Sequence, residues 1–130
     1  MTTTRASIKN LKEGGFVLID GVPCRAEKVT ISSSGKHGAS KARVDALGLF
    51  DNRRKSIVKP ADETVEVPIL EKKRAQVLAL LSESKAQIMD LNDFSVLELD
   101  IPEEKKDKIK QGEEIDYFEV MGVKTLKDLK

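Results

Sequence analysis

A regular series of short runs rich in Val and Ile is the feature that most limits how this chain folds. In the first half the runs are GFVLID, PCRAEKVTI, ARVDALGLF, KSIVK and TVEVPIL. They are bounded by Gly, Asn, Pro or Asp-Gly and recur about every ten residues, a spacing typical of an all-β domain. Asp20-Gly21 favours a tight hairpin turn. The pattern predicts a small antiparallel barrel or sandwich.

The second half repeats the strand pattern with one interruption. AQVLALL, AQIMDL, FSVLEL and EIDYFEV predict strands, whereas IPEEKKDKIKQG starts with Pro102, has acids before lysines and ends at Gly112. Those are the start and stop signals of a short helix. Three strands, a helix and further strands follow the order of a five-stranded oligonucleotide-binding (OB) barrel. We therefore predict an all-β chain of two domains, residues 1–69 and 70–130.

Composition excludes several classes of protein. Hydrophobic residues make up 39% and charged residues 35% of the chain, and no apolar run is long enough for a signal peptide or a membrane span. We expect a cytoplasmic protein without membrane contact. One Cys and one His cannot form a zinc site, so no metal is predicted. Cys24 lies in a strand-like run, which favours a buried thiol over a nucleophile.

Positive charge is concentrated in one part of the chain. Residues 25–59 contain nine Lys/Arg and three Asp/Glu, a net charge of +6. Residues 71–130 contain eleven Lys/Arg and fourteen Asp/Glu, a net charge of −3. This asymmetry indicates a polyanionic partner bound in one orientation, or alternatively a basic face that contacts only solvent.

The segment SSGKHGA between two predicted strands does not match a catalytic loop. A phosphate-binding loop needs an earlier Gly, a Ser or Thr directly after the lysine, and a following helix, and all three are missing. His37 lacks an orienting partner for general-base chemistry. We predict no catalytic residue and no enzyme activity. Gly35 and Gly38 instead leave Lys36 without bulky neighbours, so the loop presents this lysine to another macromolecule or is a plain flexible hairpin.

The residues around Lys36 resemble a known family. SSSGKHGASKARVDALGLFD is similar to the hypusine loop of the translation initiation factor 5A family in its archaeal form. The resemblance continues in order through VLIDGVPCRAEKV, KSIVKP, VEVPILEK, AQIMDL and YFEVMG, and so covers nearly the whole chain. It implies an N-terminal SH3-like barrel over residues 1–69 that carries the loop, followed by a C-terminal OB-fold barrel over residues 70–130.

The resemblance also implies a function. Members of the family bind the ribosomal exit site and direct a modified lysine toward peptidyl-tRNA, which promotes peptide bond formation at proline runs and assists termination. The matching residue here is Lys36, to which the NAD-dependent enzyme deoxyhypusine synthase would transfer an aminobutyl group from spermidine. The NAD belongs to that enzyme, so no bound cofactor is expected. Ser34 and Ala39 follow the archaeal pattern, which favours deoxyhypusine over its hydroxylated form.

The same resemblance assigns roles to side chains in the basic part of the chain. The residues expected to recognise the modifying enzyme are Ser33, Ser34, Gly35, His37, Gly38 and Ala39. The residues expected to contact rRNA or tRNA are Lys36, Lys41, Arg43, Arg53, Arg54 and Lys55. Arg25 and Lys28 are equally well explained as solvated, and the role of His37 stays open. We expect a monomer that works with the ribosome and the synthase, and the alternative is an unmodified RNA-binding or RNA-chaperone module.

Overall fold

The computed structural model describes residues 3–32 and 40–129, and within these ranges it consists of β-strands, loops and two 3-10 turns. The chain divides into two compact units, Met1–Ile69 and Leu70–Lys130. The predicted all-β fold class is confirmed. None of the helical segments in the described ranges has the length and hydropathy that crossing a membrane requires.

The described residues of the N-terminal unit, 3–32 and 40–69, form six strands in two sheets. The strands are β1 (Thr3–Ser7), β2 (Phe16–Ile19), β3 (Val22–Ser32), β4 (Lys41–Gly48), β5 (Arg54–Pro60) and β6 (Thr64–Pro68). Strands β2, β3, β4 and β5 form one antiparallel sheet in that order, and β1 pairs with β6. The four-stranded sheet curls, so that β2 also approaches β6 and β5. This curled sheet is the predicted SH3-like barrel.

Alternation along β4 builds the core of this unit. Ala42, Val44 and Ala46 are at most 1% exposed, as the alternating pattern predicts, and they pack with Val17 and Cys24. Cys24 is fully buried, and burial raises the pKa of its thiol. The prediction of a buried thiol is confirmed.

Two local features shape the sheet. Asp20 (φ 52°) and Gly21 (φ 76°) join β2 to β3 in a two-residue turn, which confirms the predicted hairpin. A β-bulge interrupts β3: Ala26 pairs with Ala46 and Lys28 pairs with Asp45, so Glu27 is the extra residue. Bulges increase strand twist and redirect the side chain at the bulge.

The C-terminal unit is a single five-stranded sheet. Its strands are β7 (Leu70–Leu80), β8 (Lys85–Asp90), β9 (Val96–Asp100), β10 (Glu114–Val120) and β11 (Val123–Thr125). They are ordered β11-β10-β7-β8-β9, and β11 approaches β9, so the sheet nearly closes. This is the five-stranded barrel that the sequence predicts. Tyr117, Phe118, Leu126 and Leu129 are all buried in this unit.

The short helix predicted between β9 and β10 is present as a 3-10 turn, Glu103–Lys105. Ile101 and Ile109 are buried on either side of it, but the residues between them offer no apolar stripe for a longer helix to pack on the core. Lys105 instead donates to the Leu126 carbonyl (2.7 Å) and to Asp128 (2.9 Å). The turn therefore holds the C-terminal segment against the barrel.

Phe94, in the turn between β8 and β9, has an unfavourable backbone conformation. Its φ is 62° and 67% of its surface is exposed, so a bulky residue occupies the left-handed region with little burial in return. We expect Phe94→Asn to raise the free energy of unfolding of the C-terminal unit by about 1 kcal/mol, because Asn tolerates this conformation. Urea denaturation measures the change. Leu81→Asn removes another exposed apolar side chain (48% exposed), at negative φ, and should give no gain; equal effects would contradict the explanation.

Candidate nucleic-acid interface

Strands β3 and β4 form a long hairpin whose far end carries the glycine loop. Pairing runs from Cys24 opposite Gly48 to Ser32 opposite Lys41. Beyond that pair, the Ala61 amide donates to the Ser40 carbonyl (2.8 Å), which ties the returning chain to the end of β5. The predicted modification and recognition residues Ser33, Ser34, Gly35, Lys36, His37, Gly38 and Ala39 lie outside the described residues.

The outward-facing side of β3, β4 and β5 carries a set of cations that we call the basic face. Its charged members are Lys28 on β3, Lys41 and Arg43 on β4, and Arg54 on β5. The four residues are all exposed, whereas the intervening β4 residues point into the core. Lys41 is the first residue of β4, so the basic face extends to the base of the glycine loop.

Two of these cations are paired with acids on the same face. Arg43 Nη2 lies 3.2 Å from Asp45 Oδ1, and Arg54 Nη1 lies 3.0 Å from Glu27 Oε1. The Arg43 and Arg54 side chains remain 57% and 82% exposed. Exposed ion pairs contribute at most about 1 kcal/mol, so a phosphate can displace the carboxylates.

The turn between β4 and β5 presents Arg53 next to this face. Asp51 organises the turn: it accepts a hydrogen bond from the Arg53 amide at 3.0 Å and forms an ion pair with Lys55 at 3.4 Å. The Arg53 amide is the main cause of the lowered pKa of Asp51, and Lys55 adds to it. A Cβ atom at Gly48 would overlap the Asp51 carboxylate, so glycine is needed for this close approach.

The structure brings together some of the predicted RNA-contacting residues and separates one from them. Lys41, Arg43 and Arg54 share the basic face, and Arg53 lies in the adjoining turn. The Lys55 side chain lies on the opposite side of β5 from that of Arg54, is half-buried and pairs with Asp51. Its contact with RNA stays a prediction, as does that of the others.

Sequence reasoning left Lys28 undecided and did not consider Glu27. Lys28 lies on the basic face directly opposite Asp45, and Glu27 is placed beside Arg54 by the bulge in β3. The sequence contains no signal for this placement, because the bulge depends on how β3 and β4 align.

The cations in the middle of β7, in the C-terminal unit, are paired with acids on β10. Lys73 pairs with Glu119 at 3.0 Å, and Arg74 pairs with both Glu114 (3.3 Å) and Asp116 (3.2 Å). The hydrogen bond from Arg74 is the main cause of the lowered pKa of Asp116. This arrangement agrees with the acidic balance of the second half of the sequence, and it leaves the N-terminal unit as the better surface for a polyanion.

Comparison with known proteins identifies relatives over most of the chain. Residues 1–63 match the family model "Translation initiation factor 5A-like, N-terminal". Translation initiation factor 5A of Methanocella arvoryzae is 52% identical over 118 residues, and that of Archaeoglobus fulgidus is 46% identical over 118, each match covering 91% of both chains. The solved structure of eukaryotic translation initiation factor 5A from Methanococcus jannaschii matches with a TM-score of 0.86 at 40% identity, covering 95% of this chain and 92% of that one.

Proposed function

Because the chain belongs to the translation initiation factor 5A family, we propose that it binds the ribosomal exit site and uses a modified Lys36 to stabilise peptidyl-tRNA. It thereby promotes peptide bond formation at stalling sequences such as proline runs and assists termination. The observation that carries the proposal is the Gly-Lys-His-Gly sequence at the end of the β3–β4 hairpin, next to a basic face. The factor acts as a cytoplasmic monomer.

The modification lengthens the Lys36 side chain and adds a second amine. A C–N bond of spermidine breaks, a new C–N bond forms at Lys36 Nζ, which loses a proton, and 1,3-diaminopropane leaves. The transfer is redox-neutral overall, so the NAD of deoxyhypusine synthase accepts a hydride and returns it. A free lysine is almost fully protonated at neutral pH, so the synthase must desolvate Nζ or supply a base.

The modified side chain acts by orienting the acceptor end of peptidyl-tRNA. It carries a secondary amine part-way along and a primary amine at its end, so it can contact phosphates or ribose hydroxyls at two depths. Holding the acceptor end of peptidyl-tRNA in place lowers the entropic part of the barrier without any proton transfer by the factor. Lys41, Arg43, Arg53, Arg54 and Lys55 supply contacts to the RNA backbone. The ribosome remains the catalyst.

Transfer of one aminobutyl group to Lys36 tests the central step. The purified chain is incubated with an archaeal deoxyhypusine synthase, NAD and spermidine, and its intact mass is measured. We expect the mass to increase by one aminobutyl group and fragmentation to place the group on Lys36. The Lys36→Arg variant is the matched control and should gain no mass. An unmodified wild-type chain, or a group on another lysine, would contradict the proposal.

The basic face supports one alternative function. Because Lys41, Arg43 and Arg54 lie on the sheet rather than in the loop, they can contact RNA without any modified lysine. An unmodified RNA-binding or RNA-chaperone module would use this surface alone. The two functions differ in their need for Lys36, and its replacement therefore distinguishes them.

A further inference from the structure

Two carboxylates, Asp45 and Glu27, lie among the cations of the basic face. Asp45 lies on β4 between Lys28 on β3 and Ser56 on β5, and all three are directly opposite one another across the sheet. Glu27 is the bulged residue of β3 and contacts Arg54. These residues line a groove of about 430 Å³.

The groove and the adjoining part of the basic face alternate donors and acceptors along the strands. Arg54, the Lys28–Asp45–Ser56 row and Arg43 follow one another at steps of two residues, which is about 7 Å per step. Each step therefore offers one cation, and a carboxylate lies beside each arginine. The Glu27 and Asp45 side chains are 39% and 36% exposed, so both are accessible to a ligand.

This alternation suits a backbone that carries both phosphates and hydroxyl donors. Phosphate oxygens accept hydrogen bonds from Lys28, Arg43 and Arg54, whereas an ionised carboxylate can only accept. The ribose 2′-hydroxyl is the one donor that an RNA backbone has and a DNA backbone lacks. When a phosphate displaces a carboxylate from its arginine, the carboxylate is free to accept from that hydroxyl.

We propose that Glu27 and Asp45 accept hydrogen bonds from ribose 2′-hydroxyl groups, so that the basic face selects RNA over DNA. The inference rests on the RNA contact in the proposed function. It also explains why a cation-rich face contains two acids. Their charges weaken the binding of any polyanion, and only RNA offsets this weakening, because its hydroxyls donate hydrogen bonds to the carboxylates. Specificity is obtained at the expense of affinity.

The test compares one single-stranded sequence made as RNA, as DNA and as 2′-O-methyl RNA. The methylated strand keeps an RNA-like sugar but has no hydroxyl proton to donate. Binding to the full-length, unmodified protein is followed by fluorescence anisotropy at low salt, where phosphate contacts are strong. We expect the wild-type protein to bind RNA roughly threefold to tenfold more tightly than either other strand, which is the net effect of about one ordinary hydrogen bond.

Variants assign the selectivity to the two carboxylates. Glu27→Ala with Asp45→Ala should bring the three affinities together, chiefly by strengthening the binding of DNA and of the methylated strand. Glu66→Ala, an exposed acid on β6, removes charge in the same unit and should keep the preference for RNA. Both side chains of the double variant are partly exposed, and circular dichroism verifies that it folds.

Each other outcome overturns the inference. Equal affinity of the wild-type protein for all three strands would contradict the inference but leave the RNA contact of the proposed function intact. This comparison needs no variant. A preference for RNA that persists in the double variant would assign selectivity to other residues. If the wild-type protein bound none of the strands, the RNA contact would fail together with the inference.

Discussion

Replacing Lys36 with arginine is expected to abolish the stimulation of peptide bond formation at consecutive prolines. Arginine keeps the positive charge of residue 36, but its guanidinium stays protonated and is not a nucleophile that accepts an aminobutyl group. The side chain also lacks the reach and the second amine of the modified lysine. Misplacing a reacting group by about 1 Å can cost about a hundredfold in rate, so we expect a drop of up to that size.

The measurement is the rate of tri-proline synthesis by archaeal ribosomes supplied with modified wild-type protein, the Lys36→Arg variant or no factor. The variant should match the reaction without factor, and messages that lack proline runs should be translated equally in all three reactions. Lys59→Arg, on β5 opposite Ala42, makes the same chemical change outside the glycine loop and should retain full activity. If Lys36→Arg rescued synthesis fully, the unmodified RNA-binding module would be the better description.

The fold could be predicted from the sequence wherever strands contain a repeating apolar pattern. The nine predicted strand runs correspond to β2–β10, and the Asp-Gly turn is where the sequence places it. Strand β1, TTRAS, was not predicted because it lacks Val, Ile and aromatic residues and is held by backbone pairing with β6. Strand β11 has three residues and follows Met121-Gly122, a turn whose φ values of 53° and 81° resemble those of Asp20-Gly21 without the usual Asp or Asn.

Side-chain partners in the candidate site were beyond sequence reasoning because they depend on strand register. The sequence indicates that Arg43 faces outward, since it alternates with small apolar residues. It does not indicate that Glu27 reaches Arg54, which is 27 residues away, because that contact depends on one extra residue in β3. The same alternation places Asp45 on the outward face with Arg43, whereas the position of Glu27 became visible only in the structure.

Asp90 forms the most heavily hydrogen-bonded polar site in the described core of the C-terminal unit. Its carboxylate is 3% exposed, accepts a hydrogen bond from the Tyr117 hydroxyl, and also accepts from the amides of Asn92 (2.7 Å) and Asp93 (3.1 Å). These bonds, with that from Tyr117 the largest, lower the pKa of Asp90 despite its burial. Burial, followed by the Asp90 contact, raises the pKa of Tyr117.

We expect Asp90→Ala to lower the urea midpoint of the C-terminal unit substantially. The change removes the acceptor for three donors, and an unsatisfied buried donor together with lost charged hydrogen bonds costs about 3 kcal/mol or more. A unit of this size has a total free energy of unfolding of about 3 to 9 kcal/mol, so the loss is a large fraction of its stability. Tyr117 is the only tyrosine and the chain has no tryptophan, so intrinsic fluorescence reports on this unit alone.

Asp100→Ala is the matched control, because it removes an exposed carboxylate from β9 in the same unit. Its urea midpoint should stay close to that of the wild-type protein. A similar midpoint for Asp90→Ala would show that the buried carboxylate does not hold the β8–β9 turn in place.

The pH dependence of stability distinguishes the effect of the negative charge of Asp90 from the effect of its size and hydrogen-bonding geometry. Folding lowers the pKa of Asp90, so its contribution is complete above the ordinary value of 3.8 and is lost as the pH falls through the folded value. Asp90→Asn should therefore be less stable at neutral pH, by about 1 to 2 kcal/mol, yet lose less stability than the wild-type protein on acidification. The charge of Asp90 also raises the pKa of its neighbour Asp93, so the difference between the two curves reports on Asp90 together with its effect on Asp93. Parallel curves would mean that the carboxylate acts only as a neutral acceptor.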